Sequence, residues 1–239
     1  MEQSTINSIV LESLNGLKNI KRKQISFPKL LGKSNPYTLA VNCNTAESLV
    51  DFILSSHIQT SSKTIWGNYL EIIALEISKL TIDGYKSKEE CTDIEWELNG
   101  FKNYRGWKSS PNWCNADQKR AVNLKESQLK NNENFGSFKV LTSYGKTSEK
   151  RANNGFVQLS GQDAWFEVGL DDETYNKVMI SIKDNSKMIG QFLENIYISD
   201  KEKIITWVED NFLNEDDTIN FIKINKYVSG RDNIKVTKW

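Results

Sequence analysis

Several side chains common in small enzymes are scarce or missing here, and each shortage removes a class of chemistry. The 239 residues include one histidine, His57, which leaves almost no room for a histidine-based catalytic triad or zinc site. His57 itself is expected at a surface or helix end. The three cysteines, Cys43, Cys91 and Cys114, are odd in number and lack metal-ligand spacing, which fits reduced thiols in a cytoplasm and excludes the usual zinc-finger readers. No apolar run approaches the roughly 18–20 residues that cross a bilayer. The N-terminal MEQSTINSIVLESLNGLKN has an early acid and no continuous apolar block, so no signal peptide is expected. No G-x-x-x-x-G-K-[ST] occurs, and nucleotide-driven translocation has no support. Neither sign of charge dominates: 31 basic residues balance 31 acidic ones, so a polyanion has to be held by a local patch. The remaining composition, 38% hydrophobic and 26% charged, is that of a soluble globular chain able to bury a core.

Along the chain, Ile6, Ile9, Val10, Leu14 and Leu17 recur at helical spacing over residues 5–20. KNIKRKQISFPKLLGKSNP follows, with Pro28, Gly32, Pro36 and six basic residues from Lys18 to Lys33, and predicts a loop or basic connecting arm. Helices are predicted from Thr45 to Ser56 and from Ser62 to Leu80, the second burying Leu70, Ile73, Ala74 and Ile77 with Glu71 beside them. At residue 91 the period changes to two. Ile94, Trp96 and Leu98 alternate with acids, and Asn99-Gly100 is the strongest short hairpin signal. A second strand runs from Phe101 to about Ser109 and stops before Pro111. Then come a helix over 116–130, a strand over 137–144, a helix from near Gly161, helices over 171–183 and 185–212, and a helical tail. The expectation is an α/β fold with a mixed central sheet flanked by helices. One domain spans 1–239, with a helical N-terminal region and basic arm (1–60), a core (61–185) and a helical C-terminal region (186–239).

A two-residue turn fixes register, so the hairpin's cross-strand neighbours can be counted: Leu98 with Phe101, Glu97 with Lys102, Glu95 with Tyr104, Asp93 with Gly106. Asp93, Glu95, Tyr104, Gly106 and Lys108 then share one face, with Lys108 diagonal to Asp93. The opposite face, with Ile94, Trp96, Leu98, Phe101 and Trp107, is a core surface. Carboxylates grouped with a lysine suit Mg²⁺-dependent phosphodiester hydrolysis, because the hard ion takes oxygen ligands and activates water while the ammonium orients or activates the nucleophile. An exposed ladder of acids and lysines reads equally from the spacing and contributes little.

An aspartate on one strand with x-x-Lys on the next resembles the PD-(D/E)XK nuclease pattern. DIEW, RGWKSSPNWCNADQ, LTSYGK and LSGQDAW, in this order, resemble one group of type II restriction endonucleases over roughly residues 60–185. WGNYLEIIALEI resembles the helix that supplies a further glutamate in that superfamily. The resemblance implies a restriction-endonuclease-like core, with Asp93 in metal binding, Lys108 as catalytic lysine and Glu71 as helix acid. It also implies Mg²⁺, double-stranded DNA as substrate, a homodimer and a cognate DNA methyltransferase as genetic partner. One position departs from the pattern: the acid two residues before the lysine is replaced by Gly106. Glu95 is the nearest substitute on that face, Glu71 can reach in from its helix, and Glu97 is expected to pair with Lys102.

Basic residues outnumber acids between Lys102 and Lys130, the composition of a phosphate-contacting stretch. The expected DNA contacts are Arg105, Ser109, Ser110, Asn112, Asn115, Gln118, Lys119 and Arg120, with Lys146, Lys150 and Arg151 on a second polar loop over 142–155. Trp113 is expected in the core. The favoured function is a cytoplasmic, sequence-specific endonuclease. The alternatives are a structure-specific or repair nuclease on the same core, or a non-catalytic DNA-binding protein that has lost the acid at Gly106.

Overall fold

The alternation beginning at residue 91 becomes the middle of a six-stranded mixed sheet. The computed structural model describes residues 1–18, 26–146, 150–151, 155–197, 201–230 and 234–237. Its strands are β1 (Tyr85–Lys86), β2 (Ile94–Leu98), β3 (Phe101–Lys108), β4 (Phe135–Thr142), β5 (Lys150–Arg151) and β6 (Val157–Ser160), in the order β1-β2-β3-β4-β6-β5. Neighbouring pairs are antiparallel except β3–β4 and β4–β6, which are parallel. Asn99 (φ 53°) and Gly100 (φ 82°) both take the positive φ that a type I′ turn requires. Leu98 pairs with Phe101, Glu97 with Lys102 and Glu95 with Tyr104, the counted register.

Both faces of the sheet are covered. On one, Tyr104, Phe138 and Val140 pack with Val122 and Leu129 of α5 (Ala116–Leu129). On the other, Trp107 meets Trp165 of α6 (Gln162–Gly169) edge to face, ring centroids 4.8 Å apart. Leu98 and Phe101, expected in the core, are more than half exposed, because they flank the exposed turn at the far end of the hairpin.

Packing divides the chain into two compact units, where the sequence reading has one domain with terminal additions. The first comprises Met1–Ile20 and Lys63–Ile189, and the second Lys21–Ser62 and Gly190–Trp239. Besides the sheet, the first holds α1 (Gln3–Lys18) and α7 (Thr174–Asp184), with the hydroxyl of buried Tyr69 donating to the Val10 carbonyl at 2.7 Å. Residues 45–80, expected as two helices, form one, α4 (Ala46–Thr81). The polar stretch SSHIQTSSKT looks like a break, but it contains neither proline nor glycine, and nothing in it stops a helix.

Among its described residues the second unit consists of helices and one isolated antiparallel bridge, Leu213 with Ile219. Part of the predicted arm folds as α2 (Phe27–Leu31), and its last residue opens α3 (Pro36–Asn42); Phe27, Leu31 and Leu39 are buried. Residues 19–25 of that arm lie outside the described residues. Beyond α8 (Ser186–Tyr197), α9 (Lys201–Phe212) and α10 (Phe221–Ser229) complete the unit, the tail helix opening on Asn220, whose side chain accepts from the Lys223 amide. Trp207 sits against Phe27, Phe212 and Tyr227. Among the described residues no helix is long and apolar enough to cross a membrane.

Candidate active site

The parallel strands β3 and β4 end together at Lys108 and Thr142, and the hairpin's open end lies beside them. In a sheet of this kind, ligands bind off the carboxyl ends of the strands. Asp93 immediately precedes β2, and its amide donates to the Arg105 carbonyl at 2.7 Å. One carboxylate oxygen, Oδ2, accepts from the Trp107 amide at 2.7 Å and from Lys108 Nζ at 3.2 Å. The other, Oδ1, accepts from Lys86 Nζ at 3.3 Å, and the same ammonium donates to Glu71 Oε1 on α4 at 2.5 Å. Thus Glu71, Asp93 and Lys108 come together, joined by a residue the sequence reading did not find. Lys86 lies on a two-residue strand, too short to register as a period. Burial acts to lower the pKa of its ammonium. The hydrogen bond to Glu71 and the fields of Asp93 and Glu71 outweigh burial, so the net shift is upward.

Gly106 is fixed by a close approach. A Cβ there would lie 2.7 Å from the carbonyl oxygen of Cys91, which itself has φ 60°. The tight turn before Asp93 therefore occupies the space into which an acid at 106 would grow. Gly106→Glu, which writes back the missing acid, is expected to cost about 1–3 kcal/mol in overpacking, measured by urea unfolding. A melting point and cleavage rate at or above wild type would contradict this account of the glycine.

Glu95 does not join the cluster, contrary to the expectation that it substitutes for the missing ligand. It is buried and already accepts from Tyr85 Oη at 2.7 Å and Ser87 Oγ at 3.1 Å, with Lys102 Nζ at 3.2 Å. Burial, and then Glu95, push the Tyr85 hydroxyl up to about 12. Lys102 thus pairs with Glu95, and Glu97 is exposed. Among the described residues no three His, Cys, Asp or Glu side chains gather as a metal-holding set.

Arg105 requires a correction too. It is buried, not DNA-facing: its guanidinium pairs with Glu167 of α6, lies 4.4 Å from the Trp96 ring centroid and donates to Ser137 Oγ at 3.0 Å. Its pairing opposite Ile94 places it on the Trp96 face.

The remaining expected DNA contacts follow the lysine in the sequence, with Lys146 on the loop after β4. Ser109 and Ser110 follow it half-buried, the Ser109 carbonyl accepting from Ser143 Oγ at 2.9 Å, and Asn112 is exposed. Asn115 and Gln118 form a capping box, each side-chain oxygen accepting from the other's amide at 2.9 Å. Lys119 and Arg120 are exposed on the first turn of α5, with Arg120 paired to Asp117 at 2.7 Å. Trp113 packs against Phe156 and donates to Gln158 Oε1, with Lys108 Nζ 5.8 Å from its ring centroid. Lys146 is exposed. In the same loop, 147–149 and 152–154 lie outside the described residues, as do the side chains of Lys150 and Arg151.

A family model for the type II restriction endonuclease EcoO109I matches residues 4–190, well over half of the chain. Among curated proteins, none matches it.

Proposed function

The chain belongs to the EcoO109I family of type II restriction endonucleases, site-specific deoxyribonucleases acting on double-stranded DNA, and from that premise we propose an Mg²⁺-dependent hydrolysis in which Asp93 and Glu71 hold the ion and Lys108 attends the phosphate. One observation carries this reading: the Glu71 and Asp93 carboxylates already share a cation, the Lys86 ammonium. Mg²⁺ prefers hard oxygen ligands, commonly takes only one or two protein carboxylates and keeps several waters, so a site with two acids, and no third among the described residues, suits it. Such an ion, when bound, lowers the pKa of a coordinated water and takes up charge on a phosphate oxygen. Asp93 is held in orientation by the Trp107 amide and Lys108. The Lys108 ammonium, in turn, is positioned to donate to a phosphate oxygen or to the attacking water as negative charge develops. Glu95 keeps the hairpin together through Tyr85, Ser87 and Lys102 and stays outside the reaction.

We assign DNA contacts to Ser109, Ser110, Asn112, Lys119, Arg120 and Lys146, leaving Asn115 and Gln118 to cap α5. A single such site cuts one strand, so cutting both strands at a symmetric sequence calls for a two-fold homodimer. Sharing the cytoplasm with the host genome would also require a methyltransferase that protects the same sequence. The test is plasmid DNA with the purified protein and Mg²⁺: discrete bands that vanish with EDTA are expected. Glu71→Gln and Asp93→Asn should each cut roughly 100-fold more slowly or worse, since a metal's stabilisation of transition-state charge is worth several kcal/mol. Glu95→Gln should retain metal-dependent cutting. The ligand assignment falls if Glu95→Gln is inactive while Glu71→Gln cuts normally.

A further inference from the structure

We propose that Lys86 is a tethered counter-cation: in the protein without DNA it occupies the position between Glu71 and Asp93, and a divalent ion must displace it to bind. The proposal rests on the assignment of those two acids as metal ligands, and it concerns what controls their loading. Lys86 Nζ lies 2.5 Å from Glu71 Oε1 and 3.3 Å from Asp93 Oδ1 and touches no other acid among the described ion pairs. Lys108 already sits on the second oxygen of Asp93. Two carboxylates therefore face two ammonium groups, and the cluster is neutral before any metal arrives. Adding a dication to a neutral cluster is far less favourable than adding it to two bare carboxylates, because unit charges about 4 Å apart interact by about 1 kcal/mol even in water.

The two lysines are not equivalent. Lys108 stands at the end of a central strand, its side chain 27% exposed. Lys86 stands on the edge strand β1, its side chain 53% exposed, so its ammonium can turn into solvent without moving the backbone. A phosphate of bound DNA offers that released ammonium a new partner. Metal and DNA then favour each other, because each helps to separate Lys86 from the acids, and linkage makes the effect reciprocal.

Calorimetric titration with Ca²⁺, with and without a duplex carrying the recognised site, measures binding without relying on cleavage. Lys86→Met, in the absence of DNA, is expected to bind Ca²⁺ about tenfold more tightly than wild type. Lys86→Arg, which keeps the charge, should stay near wild type, and Glu71→Gln should bind more weakly. The gain in Ca²⁺ affinity that the duplex confers on wild type should shrink in Lys86→Met. Should Lys86→Met not fold, Lys86→Gln makes the same comparison. If wild type binds Ca²⁺ and the uncharged variants bind it no tighter, Lys86 is not a competitor and this proposal alone falls. If neither wild type nor the variants bind Ca²⁺ or Mg²⁺ with DNA present, the metal assignment fails and takes the proposal with it.

Discussion

Lys108→Ala should give a folded protein that cuts DNA roughly 100- to 1,000-fold more slowly than wild type, the scale of removing one positioned donor from a transition state. Lys108 ends β3 with its ammonium on Asp93 Oδ2 and near the Trp113 ring, and its side chain is 27% exposed. Losing one ion pair at a partly exposed strand end usually costs stability under about 1 kcal/mol. Asp93 retains the Trp107 amide and Lys86. Rate and melting point should therefore separate: cleavage nearly lost, unfolding barely changed. Single-turnover cleavage of a defined duplex beside a thermal melt makes the comparison. Near wild-type cutting would remove Lys108 from the reaction, whereas a collapse in stability would make it a structural residue.

Arg105→Met should do the reverse, lowering stability by about 3 kcal/mol while any folded fraction still cuts. The Arg105 side chain is 3% exposed and its partner Glu167 16%. Removing one member of a buried pair leaves a charge without compensation, a loss of roughly 3–5 kcal/mol. The lower end applies because Lys139 still reaches both Glu167 oxygens at 3.0 Å. Burial acts to raise the Glu167 carboxyl, but Arg105 and then Lys139 outweigh it and hold the group below its ordinary value. A depressed acid contributes stability above its unfolded pKa of about 4.3 and loses it as pH falls through the folded value. Wild type should accordingly weaken below about pH 4, and Arg105→Met should show a smaller loss over that range. Urea unfolding at pH 7 and at pH 3 checks both. A change under about 1 kcal/mol at pH 7 would mean that the pair is relaxed in solution.

These contrasts explain what could be read from sequence. The hairpin register was legible because a two-residue Asn-Gly turn leaves no freedom in pairing, so Glu95 opposite Tyr104 could simply be counted. The same parity places Arg105 with Trp96, yet a tally of basic residues assigned it to DNA: charge is visible in sequence, while its burial against Glu167, 62 positions away, is not. Glu95 misled in a similar way, because its partner Tyr85 comes from a strand of two residues. The four-residue β6 shows no clear alternation and so gives no strand signal in the sequence. Glu71 stands out in the sequence only through its resemblance to a helix acid, and Lys86, which bridges it to Asp93, carries no motif at all.

The contact between Gly106 and the Cys91 carbonyl also shapes the mutational landscape around the cluster. An acid at 106 is blocked while the turn at Cys91 keeps its present path, and a different turn brings no ligand while 106 is glycine. The two positions are epistatic, and residues in such direct contact typically show coupling energies of 0.5–3 kcal/mol. Changing position 106 alone meets the Cys91 carbonyl, and changing the turn alone gains no carboxylate, so single substitutions do not add a third acid here. Only joint variation of the 89–92 turn with position 106 makes room for a third carboxylate beside Glu71 and Asp93.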